Sequence, residues 1–443
     1  MAALGLLAFS ILFGGASRQH ELRLALVELA ALPLLVLAIL RLRYPDLKTH
    51  RYVLSVLGCV ALLPLIQLIP LPPAIWTNLP HREELVVALQ LADLEPGWTT
   101  LSLTPDRTWR SFLALIPPIA MFLGVLACRP PQKTVFAWFI VAATTAAILL
   151  GTAQLASGGT GLYLWRTTDA GNVVGFFANR NHLATMCLVS MPFAIMLGAN
   201  SLRNQGGRLR LPFWLGVFFT GLAVVGLGVI RSRAGVAIVV PVMAASLFGA
   251  WIASGRGRPS FLLLALVAGA TLAAIAVSIF AIGPLLARFD TGGAAEGRLE
   301  NWPIVMAAAE AYLPLGSGFG SFDSVFRSVE PLQTLDSTFF NQAHNDYLET
   351  WLESGWLGMM VLVAFLGWFG KRALQAWRAA PSIERDLQRA ASIAIGAVLI
   401  HSAVDYPLRT VAITTLFALC CGLLESAHLP DMVRTRSRRR QTP

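Results

Sequence analysis

Residues 211–253 read LPFWLGVFFTGLAVVGLGVI, then RSR, then AGVAIVVPVMAASLFGAWIA. Two runs of 20 uncharged residues are thus joined by a short turn carrying Arg231 and Arg233. About 20 apolar residues cross a hydrocarbon core as helix, and so short a turn makes the two helices antiparallel neighbours. Working outward, similar blocks occupy 2–16, 24–40, 53–72, 109–127, 134–156, 173–199, 260–283, 356–374, 390–404 and 408–427, which makes twelve. Of the 443 residues 56% are hydrophobic and 13% charged, and the mean hydropathy is +0.65. A soluble domain has about a quarter of its residues charged, so a soluble fold is excluded. The expected fold is an all-α polytopic membrane protein of about 12 transmembrane helices. The block 2–16 lacks a charged leader and a clear small-residue cleavage site, and so reads as a helix rather than a signal peptide. Cys59, Cys128, Cys187, Cys420 and Cys421 lie in or beside these blocks, where a thiol is a small apolar side chain; a disulfide scaffold or metal cluster is not indicated.

With residue 1 inside, the inner segments 41–52, 128–133, 200–210, 254–259, 371–389 and 428–443 hold 21 of the 34 Lys and Arg, including every lysine. Basic short loops stay on the cytoplasmic side, so both termini are expected there. The net charge of +10 therefore reads as membrane orientation rather than as a nucleic-acid surface. Acids gather in one outer segment of 72 residues, 284–355, too apolar and aromatic to be disordered. It is expected to fold back over the membrane helices and to contain short helices. The resulting organisation is 1–283 with nine helices, 284–355 as a large outer loop, 356–427 with three helices, and 428–443 as a basic cytoplasmic tail. The smaller outer segment 73–107, with Trp76 and Trp98, suits the headgroup level.

Cations kept on the outer side run against the topogenic bias. Arg231 and Arg233 place two guanidiniums at the outer mouth of the bundle. They either snorkel from helix ends or bind an anion, since a planar fork matches phosphate oxygens bidentately. Phe177-Ala178-Asn179-Arg180-Asn181-His182 opens another span, with Asn179 or Asn181 as a possible cap and Arg180 beside a helix N-terminus that favours anions. His182 reads as packed or interfacial.

In the long loop, Gly297-Arg298-Leu299-Glu300-Asn301-Trp302-Pro303 starts a helix running to about Tyr312. Arg298 either pairs with Glu300 or Glu296 or reaches the bundle mouth. The string Pro314-Leu315-Gly316-Ser317-Gly318-Phe319-Gly320 reads as tight turns, because no strand precedes it as a nucleotide loop would require. A second helix follows His344-Asn345-Asp346, with Leu348 and Leu352 on one face, Glu349 and Glu353 on another, and Gly355 as a stop. His344 is either a packed or capping residue or a general base. A third reading gives His344, Asp346 and Glu349 to a metal, but no second ligand cluster accompanies them. His401 and Asp405 are spaced to hydrogen-bond along one helix, which would seat His401 in one tautomer.

Taken in order, these markers resemble the O-antigen ligase and O-antigen polymerase superfamily of bacterial membrane glycosyltransferases. The resemblance rests on Asn179-Arg180-Asn181-His182-Leu183-Ala184, Ser232-Arg233-Ala234-Gly235, Arg298 with Trp302, the glycine string 314–320, His344 to Glu349, and Glu353-Ser354-Gly355-Trp356-Leu357-Gly358. It covers about residues 173–410. It implies twelve helices with a periplasmic loop, an inner-membrane location, and a glycan donor on undecaprenyl diphosphate. The implied acceptor is a lipid A core or a growing glycan, with membrane lipids around the chain and no cofactor. By position Arg233 matches the family's membrane-mouth arginine, Arg298 its loop arginine and His344 its loop histidine. Arg180 is a departure, since relatives often carry Pro or another residue there. The stretch from His401 to Arg409 is most similar to exopolysaccharide members.

The chemistry implied is an inverting transfer in which His344 takes the acceptor proton. Arg233, Arg298, Arg180 and Arg231 would neutralise the leaving diphosphate in place of a metal, supported by Asn345, Asp346, His401 and Asp405. Ligase and polymerase share this donor and site. A transporter of polysaccharide or lipid-linked sugar is the alternative of another class. It would show ionisable groups at the bilayer midplane and internal repeats, whereas here Glu28 and His401 are the deeper exceptions and no repeat is evident.

Overall fold

The computed structural model describes residues 1–16, 21–158, 161–165, 171–204, 211–254, 296–332 and 340–426. The expected span 260–283 and the basic tail 428–443 lie outside the described residues.

Apolar composition becomes helix wherever the chain must satisfy its own backbone in lipid. Among the described residues, seven helices are long and apolar enough to cross a membrane, including Glu21–Arg41, Leu211–Ile230 and Arg233–Ala253, and three shorter apolar helices, Ala2–Phe13, Arg51–Gln67 and Val411–Glu425, accompany them. The fold is that of an all-α membrane protein. Pro33, Pro64, Pro192 and Pro241 sit inside apolar helices, as lipid-embedded packing tolerates.

Several expected boundaries move. The first helix ends at Phe13; at 1.5 Å per residue it extends about 18 Å, short of a hydrocarbon core of about 30 Å. It stops at Gly14 and Gly15, whose carbonyls accept from Ala412 and Ala178 and so dock this end against two other turns. The span expected from 173 begins at Arg180, because 173–179 form the approach to its cap. The span expected at 390 begins at Ile383, capped by Ser382 through the Arg385 amide. The loop helix after His344 does not stop at Gly355; it bends there and continues to Arg378.

The helix Arg180–Asn204 is the axis of the bundle. It packs against Leu211–Ile230, Arg233–Ala253, Ile383–Ser402 and Pro130–Ala156. Of its apolar stretch 94% is buried within the protein, against 22% for Glu21–Arg41, which leaves the latter a lipid-facing helix. Ion clusters lock one end of the bundle. Asp386 is buried and accepts from Arg203 Nη1 and Arg389 Nη1, both at 2.6 Å, and Arg203 Nη1 also donates to the Ala253 carbonyl at 2.8 Å. Nearby, Glu425 binds His50 Nδ1 at 2.7 Å, Arg372 Nε at 2.7 Å and Trp368 Nε1 at 2.9 Å.

At the other end a second, smaller core forms from Val305, Ala309, Tyr312, Phe322, Phe326 and Leu352. These residues belong to the stretch expected on the outer side, as far as it is described. The smaller outer segment joins it: the Leu103 amide donates to the Ser317 carbonyl at 2.9 Å, Thr108 Oγ1 to the Phe319 carbonyl at 2.7 Å, and Arg107 pairs with Asp323. The segment also closes on itself through a short antiparallel pair, Pro70–Leu71 with Thr99–Thr100.

Gly355 is the hinge of this arrangement. Its φ of +54° lies in the left-handed region, and a Cβ there would sit 2.2 Å from the Pro314 carbonyl oxygen. Gly355→Ala should lower stability by about 1–3 kcal/mol, seen as an earlier thermal unfolding midpoint in detergent. Gly370→Ala, where no atom lies within 4 Å of an added Cβ, should leave the midpoint in place; equal effects would refute the assignment.

Candidate functional site

His344 is held in place by its surroundings. It precedes the helix Asp346–Arg378, whose cap is Asn345: its side-chain oxygen accepts from the Tyr347 and Leu348 amides at 3.1 Å. His344 is therefore not the capping residue. Its own backbone takes φ +50°, unusual for a non-glycine residue. Neighbours hold it there. The Ala343 amide donates to Glu349 Oε2 at 3.0 Å, Trp302 Nε1 donates to the Ala343 carbonyl at 2.9 Å, and the imidazole lies edge-on to Tyr406 with centroids 4.8 Å apart.

Asp405 reaches this ring from another element. The helix Ile383–Ser402 ends, the Asp405 amide bonds the His401 carbonyl at 3.0 Å, and the chain enters the 3-10 turn Pro407–Arg409. Asp405 Oδ1 then lies 3.0 Å from His344 Nδ1. The expected pairing of Asp405 with His401 is not what forms. His401 Nδ1 bonds Thr185 Oγ1 at 2.8 Å, because residue 405 lies past the helix end and turns its carboxylate toward the loop. Asp405 is 1% exposed. Burial alone would raise its carboxyl. The hydrogen bond from His344 and the charges of His344, His401 and His182 outweigh that, and hold it well below the usual carboxylate range.

Two more turns close on the same place. Asn179 accepts from the Asn181 amide at 2.8 Å, which makes it the cap of Arg180–Asn204, and its Nδ2 lies 3.4 Å from the Tyr406 hydroxyl. Ser232 caps Arg233–Ala253 through the Gly235 amide and donates to Asn181 Oδ1 at 2.9 Å. His182 is buried, with Thr410 Oγ1 3.0 Å from Nδ1 and Tyr406 edge-on. One connected patch thus includes the turns at 179–182, 231–233 and 405–410 together with His344.

The arginines are placed unequally around that patch. Arg233 is half-buried on the first turn after Ser232. Arg231 is exposed, with φ +55°. Arg180 Nη1 donates to Asn172 Oδ1 at 3.0 Å, which ties it to the approach segment. Arg298 stands on the first turn of Glu296–Ala311, and its side chain lies outside the described residues.

Arg409, Glu349 and Glu353 form the part that sequence reasoning passed over. Glu349 and Glu353 share a helix face, as their spacing indicates, and both are fully buried. Arg409 Nη1 lies 2.6 Å from Glu353 Oε2 and 3.3 Å from Glu349 Oε1, and its Nε lies 3.6 Å from Asp346 Oδ1. Burial works against the Arg409 charge, but Glu349, Glu353 and Asp346 hold its proton more firmly than usual. The available signal was the spacing 346, 349, 353, which puts three acids on one face of a helix. The glycine string is a set of turns, as expected. Gly316, Gly318 and Gly320 all have left-handed φ, and the Gly320 amide donates to Glu353 Oε1 at 2.7 Å, so the loop cradles a carboxylate of its own chain. The metal reading of His344, Asp346 and Glu349 does not survive, since the two acids face Arg409 while His344 Nδ1 faces Asp405.

Fold and site together define a mostly helical membrane protein whose acid-paired histidine sits where the segment before Asp346–Arg378 meets the bundle. Residues 217–363 match the family model described as O-antigen ligase. That match supports the O-antigen ligase superfamily and points to a ligase- or polymerase-type glycosyltransferase. No curated protein matches the chain.

Ser232→Ala removes both a helix cap and the link to Asn181. It should lower stability by about 1–2 kcal/mol in thermal unfolding. Ser232→Thr, which keeps the hydroxyl, should lose less; an unchanged midpoint for Ser232→Ala would argue against the link.

Proposed function

We propose that the chain is an inverting, metal-independent glycosyltransferase of the O-antigen ligase type. It moves a glycan from undecaprenyl diphosphate to an acceptor hydroxyl at the periplasmic face of the inner membrane. The observation that carries this reading is the 3.0 Å contact between His344 Nδ1 and Asp405 Oδ1, with His344 inside the segment 217–363 that matches the O-antigen ligase family model. With Nδ1–H donated to the carboxylate, Nε2 is the unprotonated nitrogen and can accept a proton.

In the step proposed, the acceptor oxygen attacks the anomeric carbon from the face opposite the diphosphate. The C–O bond to the diphosphate breaks, its electron pair stays on the leaving phosphate oxygen, and the hydroxyl proton passes to His344 Nε2. Asp405 steadies the imidazolium that forms. Arg233 neutralises the charge growing on the leaving diphosphate, with Arg298, Arg180 and Arg231 as further cations. A fixed guanidinium there acts as a preorganised counter-charge, the role a metal ion plays in many related reactions. The released lipid is undecaprenyl diphosphate.

Purified chain in proteoliposomes with labelled lipid-diphosphate glycan tests the proposal. His344→Ala should lose about 10²–10⁴-fold in turnover, and Arg233→Ala at least as much. Arg233→Lys should rescue poorly, because a point charge lacks the fork. A single transfer to a foreign acceptor supports a ligase, and a ladder of lengths on the lipid diphosphate supports a polymerase. Translocation without cleavage of the diphosphate linkage would overturn the transferase reading in favour of transport.

A further inference from the structure

We propose that Arg409 is a positioning residue: it clamps the strap carrying Asp405 to the helix that His344 precedes, and so sets the geometry between the two. The part of this that concerns turnover rests on the transferase reading above.

Arg409 stands four residues after Asp405, on the turn Pro407–Arg409. That turn is already tied to the His344 helix, since the Leu408 amide donates to Asp346 Oδ2 at 3.2 Å. The guanidinium adds Glu353, Glu349 and Asp346 from the same helix. Each acid is also held by a second element. Glu349 Oε2 accepts from Ala343, the residue before His344; Glu353 Oε1 accepts from Gly320; Asp346 Oδ2 accepts from Ser402 Oγ at 2.8 Å. A rigid path thus runs from Asp405 along the strap to Arg409, across to Glu349, and back to the backbone beside His344.

Charge makes the path depend on Arg409. Three carboxylates crowd one buried face, and without the cation they would repel one another or take up protons. Glu349 would then loosen its hold on Ala343, and His344 would lose the support for its left-handed backbone. The Arg409 side chain is 15% exposed, with Nη1 and Nε turned to the acids, so it is placed to act through the His344–Asp405 contact. Lysine would supply the charge without the fork that reaches several carboxylates at once.

The test compares full-length wild type, Arg409→Gln, Arg409→Lys, Asp405→Asn and the double variant D405N/R409Q. The first readout is kcat and KM with the lipid-diphosphate glycan. The second needs no turnover: the rate at which diethyl pyrocarbonate modifies His344 across pH, read by peptide mass spectrometry. Arg409→Gln should lower kcat about 10²-fold with KM changed by less than about threefold. Its His344 modification profile should move toward that of Asp405→Asn, and the double variant should be no slower than Asp405→Asn alone. Arg409→Lys should recover less than about tenfold. If Arg409→Gln fails to fold, R409Q/E353Q relieves the crowded charge and should show the same shift in profile. A raised KM with kcat intact, multiplying losses in the double variant, or a wild-type His344 profile in folded Arg409 variants would overturn the proposal. Absence of turnover in the wild type would instead count against the transferase reading, while the modification profiles would still decide the clamp.

Discussion

A carboxylate removed from water must keep its charge through its neighbours, and the site end of this protein is arranged around one such group. Asp405 is buried and bonds His344 directly, and His401 and His182 act on it electrostatically from farther off. Each imidazole arrives from a different element: His344 from the outer loop, His401 from the end of Ile383–Ser402, His182 from the start of Arg180–Asn204. Pairing that charge joins the segment before Asp346–Arg378 to the turn after Ile383–Ser402. Burying an ion without partners is costly enough that the group would otherwise neutralise.

The surrounding medium explains why the polar groups are gathered at the two ends of the bundle. In hydrocarbon, apolar side chains gain nothing by leaving lipid for one another, so packing and polar contacts determine which helices associate. The central helix Arg180–Asn204 is joined near its first turn to Ser232 and Tyr406, and near its last to Asp386 through Arg203. Asp386 also binds Arg389, while Glu425 joins Arg372, His50 and Trp368. Paired ends with an apolar middle hold the helices in register along their length. The same logic places Arg409 among Asp346, Glu349 and Glu353 at the site end.

The outer segments add a second layer with a small core of its own. The glycine turns let the backbone approach Glu353 closely, and the hinge at Gly355 lets the loop helix continue into the membrane. A rigid connection of this kind couples the position of His344 to the bundle itself. For the transfer proposed above this would matter, because errors of about 1 Å in a reacting group reduce rate steeply.

The helical membrane class was legible from runs such as 211–230 and 233–253, because a hydrocarbon core demands apolar length and that demand is local. The helix starts at Arg233 and Asp346, the outer helix near 296–311 and the turns at 314–320 were legible for similar reasons, since caps and glycines act within a few residues. The pairing of charges was not. His401 and Asp405 have the spacing of a helical pair, yet a helix end between them sends one to Thr185 and the other to His344. Arg203, Arg372 and Arg389 read as markers of orientation and prove to be ion-paired as well. Glu349 and Glu353 read as sharing one helix face, and that face lies buried on Arg409. Sequence by itself determined where much of the chain is helical, because hydropathy and capping depend on near neighbours. Only the tertiary structure decided which acid meets which base, because a contact spanning 61 residues, as between His344 and Asp405, is set by how helices pack and not by any spacing along the chain.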